Sequence, residues 1–479
     1  MCECLALTSS LGHAKVAYPG NPAYEASLAS YFSAQQETIR PACVILPKNV
    51  ADVSGAIKNL AGDEAEERYR SAGGNGSLAG DTFAVRSGGH SSWAGASNID
   101  NGVTIDLSRL SSGDVDVDGN TVRVSPAATW HAVYEKLDPI GRSVAGGRVA
   151  SVGVGGLTLS GGISFLSPEH GWTCDTVLNF KVVLSDGTVV DANSRENTDL
   201  FFALPGEGNN FGIVTRIDLK TFEQSLLWSA SLLSNTSVHD ANINEFVRLS
   251  IAKDYDENAS FLLSLAYIGS IGDSFIANTL QYTKAVENLL TLPTVQASTG
   301  LKSMATLSLE AEAMVPKGSR SFYRTHTLVS TEDVLQAVYA ARSGAVNVVR
   351  NISGISWVLS FDPIPPASYA RHADSNALGL TGRDGATLLV VLLDARWKNK
   401  TDDKVVSFTA KALFDKIKKV AQSLGAYNLF IYLNYTEPDR NPIGTYGEES
   451  VRRLNTVCRR VDAAEVFTKQ VEGCKIPSV

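Results

Sequence analysis

The sequence predicts an α+β fold built from two regions of different texture. Up to about residue 222, short β-forming runs are separated by glycine-rich loops and Asp-Gly turns. From about residue 223 the glycines thin out, and long amphipathic helical patterns alternate with apolar strands. After about residue 430 the tail returns to the turn-rich chemistry of the first region. A chain of 479 residues has room for two to four domains and a large core. Its net charge of -8, with 19% charged and 44% hydrophobic residues, gives no general attraction to nucleic acid or anionic lipid. A small-molecule partner is therefore expected, with no nucleic acid and no membrane.

The N-terminus lacks a basic segment and a long apolar run, so no signal peptide is visible. With N-x-S/T sequons present, the compartment stays open between cytoplasmic and secreted after processing. Six cysteines are too few for a disulfide scaffold and lack metal-ligand spacing, and the lone CxC of Cys2 and Cys4 carries little. The first unit reads as strand, helix, strand: "CVILP" (43–47), a helix capped by Asn49 with Val53, Ile57 and Leu60 on one face, and "TFAVR" (82–86). Between them, residues 62–80 read as a charged, then Gly/Ser-rich mobile loop. A strand at 103–110 follows, then a hairpin turned at Asp118-Gly119 and a helix from Trp130 to Leu137.

Residues 149–168 form an uncharged run long enough on paper to span a bilayer, but their glycines and hydroxyls make a poor helix and predict a loop system. A second hairpin turns at Asp186-Gly187, and a Gly/Asn loop precedes a strand ending near Phe222. In the second region, helices are predicted over 240–255 and 403–424 and strands over 260–270 and 385–397.

Three glycine clusters fall in the first region: "RSGGHS" (86–91), "SVGVGGLTLSGGISF" (151–165) and "GEGNNFGIVT" (206–215). Counting G-x-G-x-x-G from Gly153 and Gly155 puts Thr158 at the last glycine, so a Rossmann fingerprint fails, and no P-loop is present. What remains is a nest: amides of Ser87, Gly88, Gly89, His90 and Ser91 suited to a pyrophosphate, with Arg86 as a helper. Gly88 and Gly89 remove bulk before His90, so a planar ligand can approach an imidazole that is nucleophilic when neutral.

These stretches, with "ALPGEGNNFGIVTRIDLKTF" and the late "YLNYTEPDRNPIGTYG", resemble the berberine bridge enzyme-like FAD-linked oxidases, within the larger vanillyl-alcohol oxidase group of flavoproteins. The resemblance implies a PCMH-type FAD-binding domain of two α/β subdomains plus an inserted substrate domain, an antiparallel sheet covered by helices. It places the FAD-binding domain at 1–222, with a motif core at 38–222, and at 431–479, and the substrate domain at 223–430. It implies that Arg86 to Ser91, Val152, Gly153, Gly155, Gly156, Ser160, Gly161, Gly162, Gly212, Ile213, Val214 and Asn434 bind FAD. It assigns His90 a covalent bond to the flavin 8α carbon. The family's second, cysteinyl link falls on Val149, which has no thiol, so a single histidyl tether is expected. Leu157 stands where many relatives place a histidine.

Val152 matches a position where a valine leaves room for oxygen, which favours molecular oxygen as acceptor. Tyr435 and Tyr432 are the base candidates. Read as a strand, residues three apart point to opposite faces, so only one should face the flavin, and Tyr435 is favoured. A free tyrosine is a poor base, and lowering its pKa by three units needs about 4 kcal/mol of phenolate stabilisation from a neighbouring cation or donor. The sequence does not reveal that neighbour.

The expected reaction is oxidation of an alcohol, phenol or related small molecule, including sugars and secondary metabolites, by a monomer that transfers hydride to flavin N5. A net non-redox cyclisation or isomerisation and a non-catalytic binding role stay open as alternatives. Tyr323, Arg324, Trp357 and Phe361 are candidates for the substrate region.

Overall fold

The structure is a computed structural model that describes residues 2–61, 82–110, 115–250, 255–284, 292, 294–380 and 385–478. The loop expected over 62–80 lies outside the described residues. The first sheet orders its strands Val16–Ala17, Cys43–Ile45, Val103–Asp106 and Phe83–Arg86, the last three parallel to one another. The helix Val50–Ala61 buries Val53, Ile57 and Leu60 against it, and the Asn49 side chain accepts the Asp52 N–H at 2.9 Å as its cap. Because the neighbouring strands run parallel, the segment 86–91 leaves the sheet beyond the carboxyl end of its strand, where open α/β sheets bind ligands. A disulfide joins Cys4, in the helix Cys2–Leu11, to Cys43 in the second strand. One half of the CxC, which the sequence left without a role, is thus cross-linked.

The second sheet is antiparallel and orders Val115–Asp118, Thr121–Val124, Ile213–Lys220, Val177–Val183 and Val189–Asn193. Asp118 pairs with Thr121, so the first hairpin turns on Gly119-Asn120, one residue later than the sequence suggests, with Gly119 at φ 59°. Residues 149–168 contain only two short helices, Val154–Leu159 and Ser167–His170, with Gly161 and Gly162 at φ 100° and 91° between them. Among the described residues, no helix is long and apolar enough to cross a membrane.

The third large sheet has eight antiparallel strands drawn from Leu227 to Asn428. Helices Glu332–Val349 and Asp403–Ser423 cover one face, and Trp357, Leu359, Phe361, Leu393 and Ala395 are buried in the core shared with them. Side chains alternate along a strand, so Asp362, next to Phe361, turns to the opposite face. That face meets the first region: Asp362 pairs with Arg148, and the Arg396 guanidinium lies 5.6 Å from the Phe32 ring centre.

Candidate active site

Two glycine loops meet backbone to backbone. A Cβ at Gly88 would lie 2.6 Å from the Gly153 backbone, and one at Gly153 would lie 2.6 Å from the Gly88 nitrogen. Any side chain at either position drives the loops apart. Among the described residues, the amides of Gly88, Gly89, His90 and Ser91 donate to no acceptor. The Arg86 guanidinium points the other way. It donates to the Ser27 carbonyl, to Ser30 Oγ at 2.7 Å and to Asp106 at 3.4 Å, and stacks over Tyr31. Arg86 therefore supports the loop from beneath and takes no part in the nest of amides.

The second loop is braced on both sides. Gly155 donates its amide to the Pro126 carbonyl at 2.8 Å, and a Cβ at Gly156 would meet nothing within 4 Å. Asn434 Nδ2 donates to the carbonyls of Leu157 at 3.2 Å and Ser160 at 3.3 Å, fixing this loop to the tail. Val152 packs at the edge of the same core. Ile213 and Val214 pair with Val183 and Val182, and Gly212 passes so close to the Val183 carbonyl that a Cβ would lie 2.6 Å from it. Ile213 shares a core with Phe83 and Ile105, on strands of the first sheet.

His90 stacks on Phe32 with ring centres 4.0 Å apart, and its Nε2 lies 3.1 Å from Ser151 Oγ. Burial pulls its pKa down to about 4, with Glu312 acting weakly in the opposite direction. The imidazole is neutral at neutral pH and keeps a nucleophilic lone pair.

Residues 433–435 form a 3-10 turn, which corrects the strand reading of this segment. The turn brings Tyr432 and Tyr435 together, edge to face at 4.8 Å, instead of sending them to opposite sides. Tyr432 is absorbed in structure, for its hydroxyl accepts the Ile163 N–H and Asn434 Nδ2, each at 2.9 Å. Arg148 is the neighbour of Tyr435 that the sequence left unnamed. The Tyr435 hydroxyl accepts from Arg148 Nη2 at 2.7 Å and donates to Asp362 Oδ2 at 3.4 Å, while Arg148 pairs with Asp362 at 2.5 Å. Burial pushes the Tyr435 pKa well above its ordinary value; Arg148 opposes this and Asp362 adds to it. For Arg148, burial works against the charge, but Asp362 and the tyrosines outweigh it and hold the guanidinium charged.

A cavity opens beside Arg148 and Asp362, walled by Ile163, Trp172, Phe261 and Ile364. Trp172 Nε1 and Ser368 Oγ, both at this cavity, are buried with no hydrogen-bond partner among the described residues. Of the second-region candidates, Tyr323 lies edge-on to Tyr435 at 6.4 Å. Arg324 instead pairs with Glu437 at 2.6 Å, and Trp357 and Phe361 are buried under the helices, away from the cavity. Arg148 and Asp362 went unread in the sequence because they lie 214 positions apart and neither sits in a motif.

Amide donors without a protein partner in a glycine loop, a neutral, half-buried imidazole and a charged cluster at a cavity of mixed lining fit FAD and a small substrate. Residues 41–193 match the FAD binding domain family. The chain is 31% identical to "FAD-dependent monooxygenase CTB5" of Cercospora beticola, over 99% of this chain and 92% of the relative. It is 42% identical to "Oligopeptidase PhomG'" of Diaporthe leptostromiformis over 98% of its own length, but spans only 37% of that protein. In fold it is similar to 6-hydroxy-D-nicotine oxidase from Arthrobacter nicotinovorans, with a TM-score of 0.76, 20% identity and coverage of 95% and 96% of the two chains. A xylooligosaccharide oxidase from Myceliophthora thermophila gives 0.75, 21% identity and coverage of 99% and 100%. The chain belongs to the FAD-dependent oxidoreductases.

Proposed function

We propose that this enzyme oxidises an alcohol, phenol or related small molecule and passes the electron pair to molecular oxygen, with FAD tethered through His90 alone. In this reading residues 1–222 and 431–479 hold the cofactor and residues 223–430 cover it. The amides of 88–91 carry the pyrophosphate, and residues 152–162, 212–214 and Asn434 shape the rest of the bed. When bound, FAD supplies the two-electron acceptor for a substrate hydride.

The observation that carries the reading is the chain Arg148, Tyr435, Asp362, in which Arg148 and Asp362 line the cavity and the Tyr435 hydroxyl bonds to both. Tyr435 Oη takes the substrate hydroxyl proton as it gives its own to Asp362 Oδ2, so no phenolate persists and the raised phenol pKa is no obstacle. Arg148 holds both partners in register and offsets charge as the proton moves. Ile163, Trp172, Phe261 and Ile364 offer apolar contact, and Arg148, Asp362 and Ser368 polar contact, to a small substrate with one reacting oxygen.

Anaerobic mixing of the yellow enzyme with candidate phenols and alcohols tests this. The flavin band should bleach and recover on aeration with stoichiometric peroxide. Product without bleaching would overturn it. Relatives named monooxygenases support a second reading, in which an oxygen atom enters the product. Labelled dioxygen separates the two, since peroxide carries the label in the first and the product carries it in the second.

A further inference from the structure

Glu312 lies on the helix Met304–Ala313, in the second region of the chain and far from any motif. The helix is capped by Ser303 and docks against the helix Trp130–Leu137 and the segment after Val149. Ala150 donates its amide to the Ser308 carbonyl at 3.1 Å, and Ala305 donates its own to Asp138 at 2.9 Å. This docking delivers Glu312 Oε2 to Ser151, where it accepts both the backbone N–H at 2.9 Å and the hydroxyl at 2.6 Å.

Ser151 has one hydroxyl hydrogen, and the shorter contact commits it to Glu312. Toward His90 Nε2, 3.1 Å away, the same oxygen can then only accept. With that hydrogen given to Glu312, Nε2 carries the imidazole proton and Nδ1 the lone pair, against the pull of the His90 backbone carbonyl on a ring N–H. Phe32 stacks on one face of the ring and limits its rotation. Burial disfavours an imidazolium; Glu312 opposes this, and Arg396 and Lys317 reinforce it.

We propose that Ser151 and Glu312 form a proton relay that readies His90 for attachment to the flavin, Glu312 being a positioning residue that acts through Ser151. The inference rests on the proposed His90 tether. The bond formed is Nδ1 to the 8α carbon, which gives up one methyl hydrogen as a proton. The Nε2 proton passes to Ser151 Oγ while the Ser151 proton passes to Glu312. The flavin takes up the electron pair and is left two-electron reduced, and dioxygen, as the oxidant, removes that pair with two protons as hydrogen peroxide. A hydroxyl and a carboxylate in line with the departing proton are what this step needs.

The test uses full-length protein made under riboflavin limitation, then given FAD in air. Covalent flavin is read as in-gel fluorescence and intact mass after acid denaturation, and non-covalent flavin as absorbance released by acid. Wild type should become covalent, and His90→Ala should bind flavin that acid releases. Glu312→Gln keeps an acceptor oxygen for Ser151 but removes the proton acceptor. It should bind FAD as tightly as wild type and attach it about 100-fold more slowly. Ser151→Ala should show the same delay and Ser151→Thr should restore the rate, which decides the matter if Glu312→Gln does not fold. Attachment at the wild-type rate in Glu312→Gln or Ser151→Ala overturns the relay. Release of flavin from wild type by acid overturns the tether beneath it, a separate result.

Discussion

The two ends of the site are made by different means. At the His90 end, backbone does the work: two glycine loops touch through Gly88 and Gly153, and the amides of 88–91 bond to no protein acceptor among the described residues. At the Tyr435 end, side chains do it. Arg148 comes from the first glycine-rich region, Asp362 from the eight-stranded sheet and Tyr435 from the tail, and each satisfies another's charge or hydroxyl. A backbone nest tolerates little added volume but carries no net charge. A buried side-chain cluster accepts small changes in shape but not the loss of one charge. The two ends should therefore fail differently.

The sharpest break is expected at Asp362. Asp362→Ala leaves the half-buried Arg148 guanidinium without its carboxylate partner, which should cost about 3 kcal/mol of stability, read by denaturant unfolding. Turnover should go with it, and equal stability in mutant and wild type would show that the pair is not the closed unit described. Tyr435→Phe isolates the chemistry: kcat should fall about 1000-fold with roughly 1 kcal/mol lost in stability. An unchanged kcat would move the proton acceptor elsewhere. At the other end, Gly88→Ala puts a methyl into the Gly153 backbone and should cost about 3 kcal/mol, with flavin content falling in parallel. Full flavin occupancy in that variant would mean the loops part without harm.

The same contrast explains what could be read in advance. The nest is contiguous, so "RSGGHS" announces itself: glycines permit the close approach and the histidine follows them directly. Short strands ending at Gly and Asp-Gly signals were likewise legible to within a residue or two, as Gly119 and Gly187 show. The Arg148, Asp362 and Tyr435 cluster exists only after the eight-stranded sheet is laid on the glycine loops. Alternation places Asp362 opposite Phe361, but sequence does not say which face of the sheet meets the cofactor region. Ser151 and Glu312 were hidden for the same reason. Residues 433–435 were misread as a strand because tyrosines and leucine favour extended structure locally. Tertiary bonds from Ile163 and Asn434 hold Tyr432 beside the 3-10 turn instead.

The smallest effect expected is the one that separates the two tyrosines. Their rings touch, so proximity alone cannot assign the base. The Tyr432 hydroxyl, however, is spent as an acceptor for the Ile163 amide and Asn434, and it lies where burial pushes its pKa up, against the pull of Asn434 and Arg148. Tyr432→Phe strands the Ile163 amide, while Asn434 keeps the Leu157 and Ser160 carbonyls, and should cost about 1 to 2 kcal/mol in stability. It should leave kcat within about threefold of wild type, because the Arg148, Tyr435 and Asp362 contacts do not pass through that hydroxyl. Steady-state kinetics beside a thermal melt reads both quantities. A kcat loss as deep as that of Tyr435→Phe would mean the two phenols act as one relay, and the division between a structural and a chemical tyrosine would have to be given up.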